Sequence, residues 1–529
     1  MKRFVKGDVD GFFALGLDNM LMLILMSNLC QGFLGFSADL FYGKVLPGTA
    51  IGLAIGNLYY SRQALKLAAL EKRNDVCALP YGTSILTIVS FVFLVMYPVQ
   101  QMGLNDGLSK AEADLMAWRA GLLACFGSGL IEFGGSFIVY HLRRFTPRPA
   151  LLSTLAGIGF AFIALDFVFR SYAYPLVGIT TLGLVIIAYY GGVRLKFGLP
   201  VGFVALLLGT GIAWILHFTR DSDIVPRVSL QLDSFGLHFP LPVFGDIIAA
   251  WSLLPIVLPV LAPLGIIHLV LSLQIIESAE AAGDKYDARS SLVVNGLGTI
   301  LAGTFGSPFP TSLYIGHPGW KAMGARAGYS VLNAVFIALL AFSGSATLLF
   351  YYVPVEAGMA ILIWIGVSMM SQAFQATPSK YTSAVVFGLI PVVGAFSALV
   401  MKHAISSASV MTGTPLFTPE LNETMVNVRT FFSHGVFAIE QGYVYTSIIL
   451  SAATVYIIDR KFKIAGLWFF AAAILAGFGL TSQYTFAVTD TVAHLGWQWN
   501  DWFWSYLAVG GLLFAIPYLS SPHENPEGH

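Results

Sequence analysis

The chain has 529 residues, 57% of them hydrophobic and 11% charged, with a mean hydropathy of +0.76. Soluble domains carry about 25% charged residues, so less than half that share points to lipid as the solvent. Lys plus Arg and Asp plus Glu balance at 28 each, which leaves no excess charge to draw nucleic acid. The three cysteines, Cys30, Cys77 and Cys125, show neither a CxxC pair nor zinc-ligand spacing and read as small buried side chains.

Met1-Lys2-Arg3 begins like a signal peptide, but the apolar run that follows is long, contains Asp18 and Asn19, and lacks a small-residue cleavage site. It reads as the first span. A helix needs roughly 20 apolar residues to cross the hydrocarbon core. On that basis spans are predicted near 14–36, 46–67, 79–98, 117–140, 150–169, 174–192, 199–218, 254–277 and 290–306. Further spans follow near 310–324, 329–352, 355–374, 382–401, 441–459, 464–483 and 503–520.

With the N-terminus inside, most basic residues fall on one side. They include Arg62, Lys66, Lys72 and Arg73, then Arg143, Arg144 and Arg148, then Arg194 and Lys196, and finally Arg460, Lys461 and Lys463. This bias predicts cytoplasmic N- and C-termini.

Two segments are broken by Pro and Gly: Ala78-Leu79-Pro80-Tyr81-Gly82-Thr83-Ser84 and Ser307-Pro308-Phe309-Pro310-Thr311-Ser312. They open the third and tenth spans. An odd offset of seven spans inverts the second copy, so a 7+7 inverted repeat is expected, with two extra C-terminal spans. Paired discontinuous helices in such folds mark a midplane site; ordinary proline-kinked helices are the bland alternative.

Ionisable residues inside a span cost about 2.5–3.5 kcal/mol on insertion scales, so each is a functional candidate. In the eighth span Gln274, Glu277 and Glu280 recur at i, i+3 and i+6 on one face. Glu277 is the first choice for substrate contact and proton coupling, whereas Glu280 is expected at the surface, paired with Lys285 or Arg289. Asp18, Asn19 and Asn295 are candidates for coupling or site support. Glu132 and Asp166 form structural hydrogen bonds or lie on a water path. His268 reads as a packed histidine, and His317 touches substrate or caps backbone carbonyls. Neither a P-loop nor HExxH nor GxSxG stands out, so ATP-driven transport and hydrolysis are disfavoured. No metal or cofactor is called for, and a coupling ion, H+ or Na+, is expected.

Ile276-Glu277-Ser278 with Gly283-Asp284, Asn295-Gly296-Leu297-Gly298, and Pro310 through Gly319 resemble the eighth, ninth and tenth spans of the nucleobase–ascorbate transporter family (nucleobase–cation symporter 2), including its xanthine–uracil and adenine–guanine permease branches. The resemblance is strongest over roughly 265–330. Gly316 and His317 depart from it, standing where members often carry Glu or Gln followed by Asn.

The resemblance implies an all-α membrane fold, with short broken helices or short strands at the third and tenth spans, a core domain at 1–145 and 246–353 and a gate domain at 146–245 and 354–460, the extra spans and a cytoplasmic tail occupying 461–529. It implies a permease for nucleobase-like solutes in the plasma (bacterial inner) membrane, often paired as a homodimer. Glu277, Gln274, Tyr81, Thr83, Ser84, Thr311, Ser312, Tyr314, Gly316 and His317 are the expected substrate residues, with Tyr81 stacking on the ligand or walling it. An anion transporter on the same scaffold, and a membrane sensor or enzyme, are the rival readings.

Overall fold

The computed structural model describes residues 2–193, 195–196, 199–220, 222–225, 234–414, 416–486 and 491–519. Arg194, counted above among the inner basic residues, and the tail expected at 520–529 lie outside the described residues.

In chain order the first elements are α1 (Gly7–Ser27), α2 (Ala38–Leu40), α3 (Leu46–Leu70), strand β1 (Tyr81–Thr83), α4 (Ile85–Phe91) and α5 (Tyr97–Asn105). Then come α6 (Lys110–Gly135), α7 (Val139–Phe145), α8 (Arg148–Ile158), α9 (Asp166–Ala173), α10 (Pro175–Tyr189), α11 (Val201–Arg220) and α12 (Phe244–Ala249). The second half holds α13 (Leu254–Ala281), α14 (Ala288–Thr304), strand β2 (Thr311–Leu313), α15 (His317–Ala322), α16 (Gly328–Phe342), α17 (Ala346–Tyr352) and α18 (Met359–Gln375). It continues through α19 (Thr382–Thr412), α20 (Glu420–Arg429), α21 (Ser433–Glu440), α22 (Tyr443–Ile458) and α23 (Phe462–Gly477). Strands β3 (Tyr484–Phe486) and β4 (Thr491–Ala493) precede α24 (Asp501–Leu519).

Regular structure stands at every predicted span. Among the described residues, seven helical segments are long and apolar enough to cross a membrane, and up to ten if each bent pair is one span. The chain is an integral, multi-pass, mostly helical membrane protein. Turns of π-helix interrupt several spans, at 28–33, 92–96 and 159–165; such bulges relieve the strict helical repeat inside long helices.

The tenth span departs from a plain helix. Its apolar stretch divides into the extended strand β2 and the six-residue α15. Pro310 has no N–H to continue a helix, and the backbone that follows pairs with another strand instead. β1 and β2 run antiparallel with Tyr81 opposite Leu313, Gly82 opposite Ser312 and Thr83 opposite Thr311. Extended backbone at membrane depth is tolerated where protein satisfies its polar groups, and here each strand supplies the other.

The chain forms two compact units. One comprises residues 1–143 and 163–369, and the other 144–162 and 370–529. These boundaries differ from the core and gate ranges set out above, because α10, α11 and most of α18 fall in the first unit. Within that unit α6 packs on α14 and α13, α3 packs on α16 and α14, and α1 packs on α16. Within the second, α19 packs on α22 and α8, and α23 on α24. Its Thr154 and Ser447 hydroxyls are 2.6 Å apart, a buried polar tie between α8 and α22.

Candidate substrate site

The two strands form a ribbon whose faces differ. Side chains alternate along a strand, and directly opposed residues share a face. Tyr81, Thr83, Thr311 and Leu313 therefore lie on one side, and Gly82 and Ser312 on the other. The first side is scaffold. Tyr81 is fully buried with its ring against Gly56 of α3 and Gly298 of α14, and its hydroxyl lies 2.9 Å from Thr311 Oγ1. Three asparagines hold the same ribbon: Asn57 Nδ2 and Asn19 Nδ2 donate to the Tyr81 carbonyl at 3.2 and 3.5 Å, and Leu313 N–H donates to Asn295 Oδ1 at 2.9 Å. Tyr314 N–H closes the ribbon onto the Pro80 carbonyl at 2.8 Å.

The second side faces α1. A Cβ placed on Gly82 would stand 2.8 Å from Asn19 Oδ1 and 3.2 Å from Tyr314 Cδ2, so the missing side chain is what lets α1 approach. Tyr314 donates its hydroxyl to Asp18 Oδ1 at 2.7 Å. Asp18 Oδ2 and Asn19 Oδ1 are buried and have no hydrogen-bond partner. Buried polar atoms are normally satisfied, so each orphan needs a reason. Ser84 and Tyr314 are half-buried.

The structure thus gathers Asp18, Asn19, Ser84, Ser312 and Tyr314 around Gly82. It turns Tyr81, Thr83 and Thr311 to the opposite face, where Thr83 Oγ1 is also unpartnered. Tyr81 therefore packs as scaffold instead of presenting its ring for stacking. Gly82, absent from the predicted set, is central because it has no side chain; only the strand alternation could have pointed to it.

Glu277 and Glu280 lie elsewhere. Arg143 of α7 binds Glu277 Oε2 through Nε at 2.9 Å and binds Glu280 through Nη2. Glu280 is thus paired, though with Arg143 where Lys285 or Arg289 was expected. Gln274 is fully buried, and neither of its amide atoms has a partner. At 3.6 residues per turn, Gln274 points about 200° away from Ser272, the residue that reaches toward the ribbon's support.

Gly316 and His317 belong to a third group, centred on Asp284. Asp284 is fully buried in the α13–α14 connection. It accepts from Lys321 Nζ at 2.7 Å, Arg73 Nη2 at 3.0 Å and Cys77 N–H at 3.0 Å, with His317 Nε2 at 3.2 Å. His317 Nε2 also lies 3.0 Å from the Cys77 carbonyl. Both neighbours are acceptors, which assigns the proton to Nε2. His317 thus caps backbone, the second of the two roles proposed for it. Burial by itself raises the Asp284 carboxyl, but hydrogen bonds and charge from His317 and Lys321 and the Cys77 N–H outweigh it and bring the pKa down to about 2. Gly316 has φ +124°, and a Cβ there would meet Trp320 at 2.4 Å and Ile365 at 2.5 Å. A Glu or Gln at that position is sterically excluded.

Near the far end of α6, Gly35, Asp39, Lys44, Lys110 and Asp114 line a cavity of about 510 Å³. Lys110 there bonds Asp114 and donates to the Leu34 carbonyl at 2.7 Å, and Lys44 lies 3.9 Å from Asp246. Among the described residues, no group of His, Cys, Asp and Glu is arranged to hold a metal ion.

No family model matches the chain, and no curated protein matches it. Among solved structures, the chain is similar to the transmembrane domain of a cyanobacterium bicarbonate transporter, BicA. That match has 17% identity and a TM-score of 0.43, covering 73% of this chain and 95% of that one. It is also similar to SLC26A9, with 12% identity and a TM-score of 0.39, covering 69% of this chain and 66% of that one. At these values neither likeness adds a residue correspondence to the geometry above.

Proposed function

We propose that the protein is a secondary active transporter that binds a small polar solute of nucleobase type on the Gly82–Ser312 face of the ribbon, against Asp18 and Asn19 of α1. The observation that carries this reading is the pair of buried, unpartnered acceptors, Asp18 Oδ2 and Asn19 Oδ1, beside a strand position with no side chain. Acceptors with no basic side chain bonded to them suit a ligand that brings its own N–H donors. A heterocyclic amide edge supplies two or three of these, and a site that must hydrogen-bond its ligand rejects analogues lacking the donor. Ser312 and the Tyr314 hydroxyl complete a polar rim. Alternating access would then move a core against a gate, with the Asp284 cluster and the Arg143–Glu277 pair bracing the core.

A small anion is the second reading. It is favoured by the first turn of α4, where Ser84 makes no side-chain capping bond and backbone N–H groups point toward the ribbon end. Purified protein in liposomes, offered radiolabelled uracil, xanthine, bicarbonate and sulfate in parallel, separates the two. Saturable uptake of a nucleobase supports the first reading, and uptake of bicarbonate or sulfate alone supports the second. No uptake of any of the four above empty liposomes rejects both.

A further inference from the structure

We infer that Glu132 of α6 is the proton-carrying residue of this protein, binding H+ at Oε2 while Oε1 stays tied to the substrate ribbon through Asn295. The inference rests on the transporter reading and adds its coupling residue.

Glu132 is fully buried. Its Oε1 accepts from Asn295 Nδ2 at 2.8 Å and from Ser272 Oγ at 3.3 Å, and Asn295 Nδ2 also reaches Ser272 Oγ at 2.9 Å. The other oxygen, Oε2, has no partner, and neither has Ser128 Oγ, one helical turn earlier on the same face of α6. Among the described residues, no basic side chain is bonded to the carboxylate. Arg119, on the same helix, lies 13 residues away, about 20 Å at 1.5 Å per residue, and is committed to Asp246.

The titratable groups around Glu132 are each engaged elsewhere. Tyr60 of α3 donates to the Ser291 carbonyl at 2.9 Å, and Tyr81 of β1 is bonded to Thr311. Cys125 of α6 contacts the Thr299 carbonyl at 3.6 Å, and His268 of α13 is bonded to Thr87. None of them supplies a positive charge or a donor to Oε2.

A buried carboxyl with one satisfied oxygen and one bare oxygen is stable only if Oε2 gains a proton or a cation. Two unpartnered oxygens, Glu132 Oε2 and Ser128 Oγ, stand on this face, too few for the six or so that a metal cation requires, and a proton needs only one. In the step, the carboxylate takes H+ from water and becomes the neutral acid, with the proton on the bare Oε2. Release reverses the step, and no electrons are exchanged.

The link to the ribbon is a short chain of hydrogen bonds. An ionised carboxylate is a stronger acceptor than a neutral acid, so charge on Glu132 tightens its hold on Asn295 Nδ2. The same amide receives the Leu313 N–H on Oδ1. Hydrogen bonds in series polarise one another, so loading the proton loosens the support beneath β2, where the ligand is held.

Glu132→Gln tests this, because the amide carbonyl can still accept from Asn295 and Ser272 while the titratable proton is lost. Infrared titration of the full chain in nanodiscs, without substrate, is expected to show a protonated-carboxyl band that disappears as pH rises and is missing in E132Q. Identical spectra in the two proteins would overturn the inference. In liposomes offered xanthine, the ratio of uptake with an inward proton gradient to uptake without one should fall about tenfold in E132Q, a loss of about 1.4 kcal/mol of coupling. An unchanged ratio also overturns it. Absence of xanthine, uracil, bicarbonate and sulfate uptake by the wild type would instead reject the transporter reading, while the infrared result still decides the proton site. Should E132Q not fold, Glu132→Asp must move the midpoint of the same band; an unmoved band refutes the assignment.

Discussion

Gly82 and Ser312 stand opposite each other at the centre of the two-stranded ribbon, each two residues beyond a proline, Pro80 and Pro310. One strand contributes a hydroxyl at this position, and the other contributes empty space. That asymmetry is where α1 enters with Asp18 and Asn19.

Filling that space should impair binding without breaking the fold. In Gly82→Val the added atoms displace Asn19, whose Oδ1 would lie 2.8 Å from the new Cβ. The expected result is at least a tenfold rise in KM for the transported solute, about 1.4 kcal/mol. The unfolding temperature should fall only modestly, because the atom met is the end of the Asn19 side chain, which loses its 3.5 Å bond to the Tyr81 carbonyl as it rotates. A variant that unfolds at a much lower temperature, with its KM unchanged, would place the glycine in the scaffold alone.

Asp284 should govern acid stability. Its folded pKa of about 2 lies below the ordinary 3.8, so its contribution is full above about pH 4 and is lost as pH falls through about 2. Asp284→Asn leaves Arg73, Lys321 and His317 without their shared anion and should cost about 3 kcal/mol at neutral pH, as breaking a buried pair does. Unfolding midpoints measured from pH 7 down to pH 2 should fall for the wild type mainly in the lowest two units. The variant should start lower and slope less.

The Arg143–Glu277 contact is read as a brace. Glu277→Gln, Arg143→Gln and the double variant should then give a coupling energy of about 1 kcal/mol in stability, and none of the three should change which solute is carried. A changed solute preference in Glu277→Gln would return Glu277 to the binding site.

Much of the architecture was legible in the residues because lipid imposes a coarse, length-based code. Sixteen apolar stretches and the biased Arg and Lys clusters require no tertiary knowledge to find. The ribbon was marked by Pro80 and Pro310, but three-residue strands carry no periodic signal, so their faces were hidden. Residue type then misdirected the choice: Tyr81 and Thr83 attract attention as polar or aromatic groups, whereas alternation turns them to the scaffold. Glu277 met a partner 134 positions away, and Glu132 could not be ranked until one of its oxygens was seen to be bonded and the other bare. The β3–β4 hairpin between the last two helices escaped notice because it sits within a run of ordinary hydropathy.

The most direct measurement is the labelling of a single thiol at the rim of the pocket. Ser84 is half-buried on the Gly82 side, and the native Cys30, Cys77 and Cys125 are buried. Ser84→Cys in liposomes should react with a small maleimide, and the solute that the protein transports should slow that reaction severalfold at saturating concentration. Labelling that proceeds at the same rate with and without a solute whose uptake is saturated would contradict a binding site on this face.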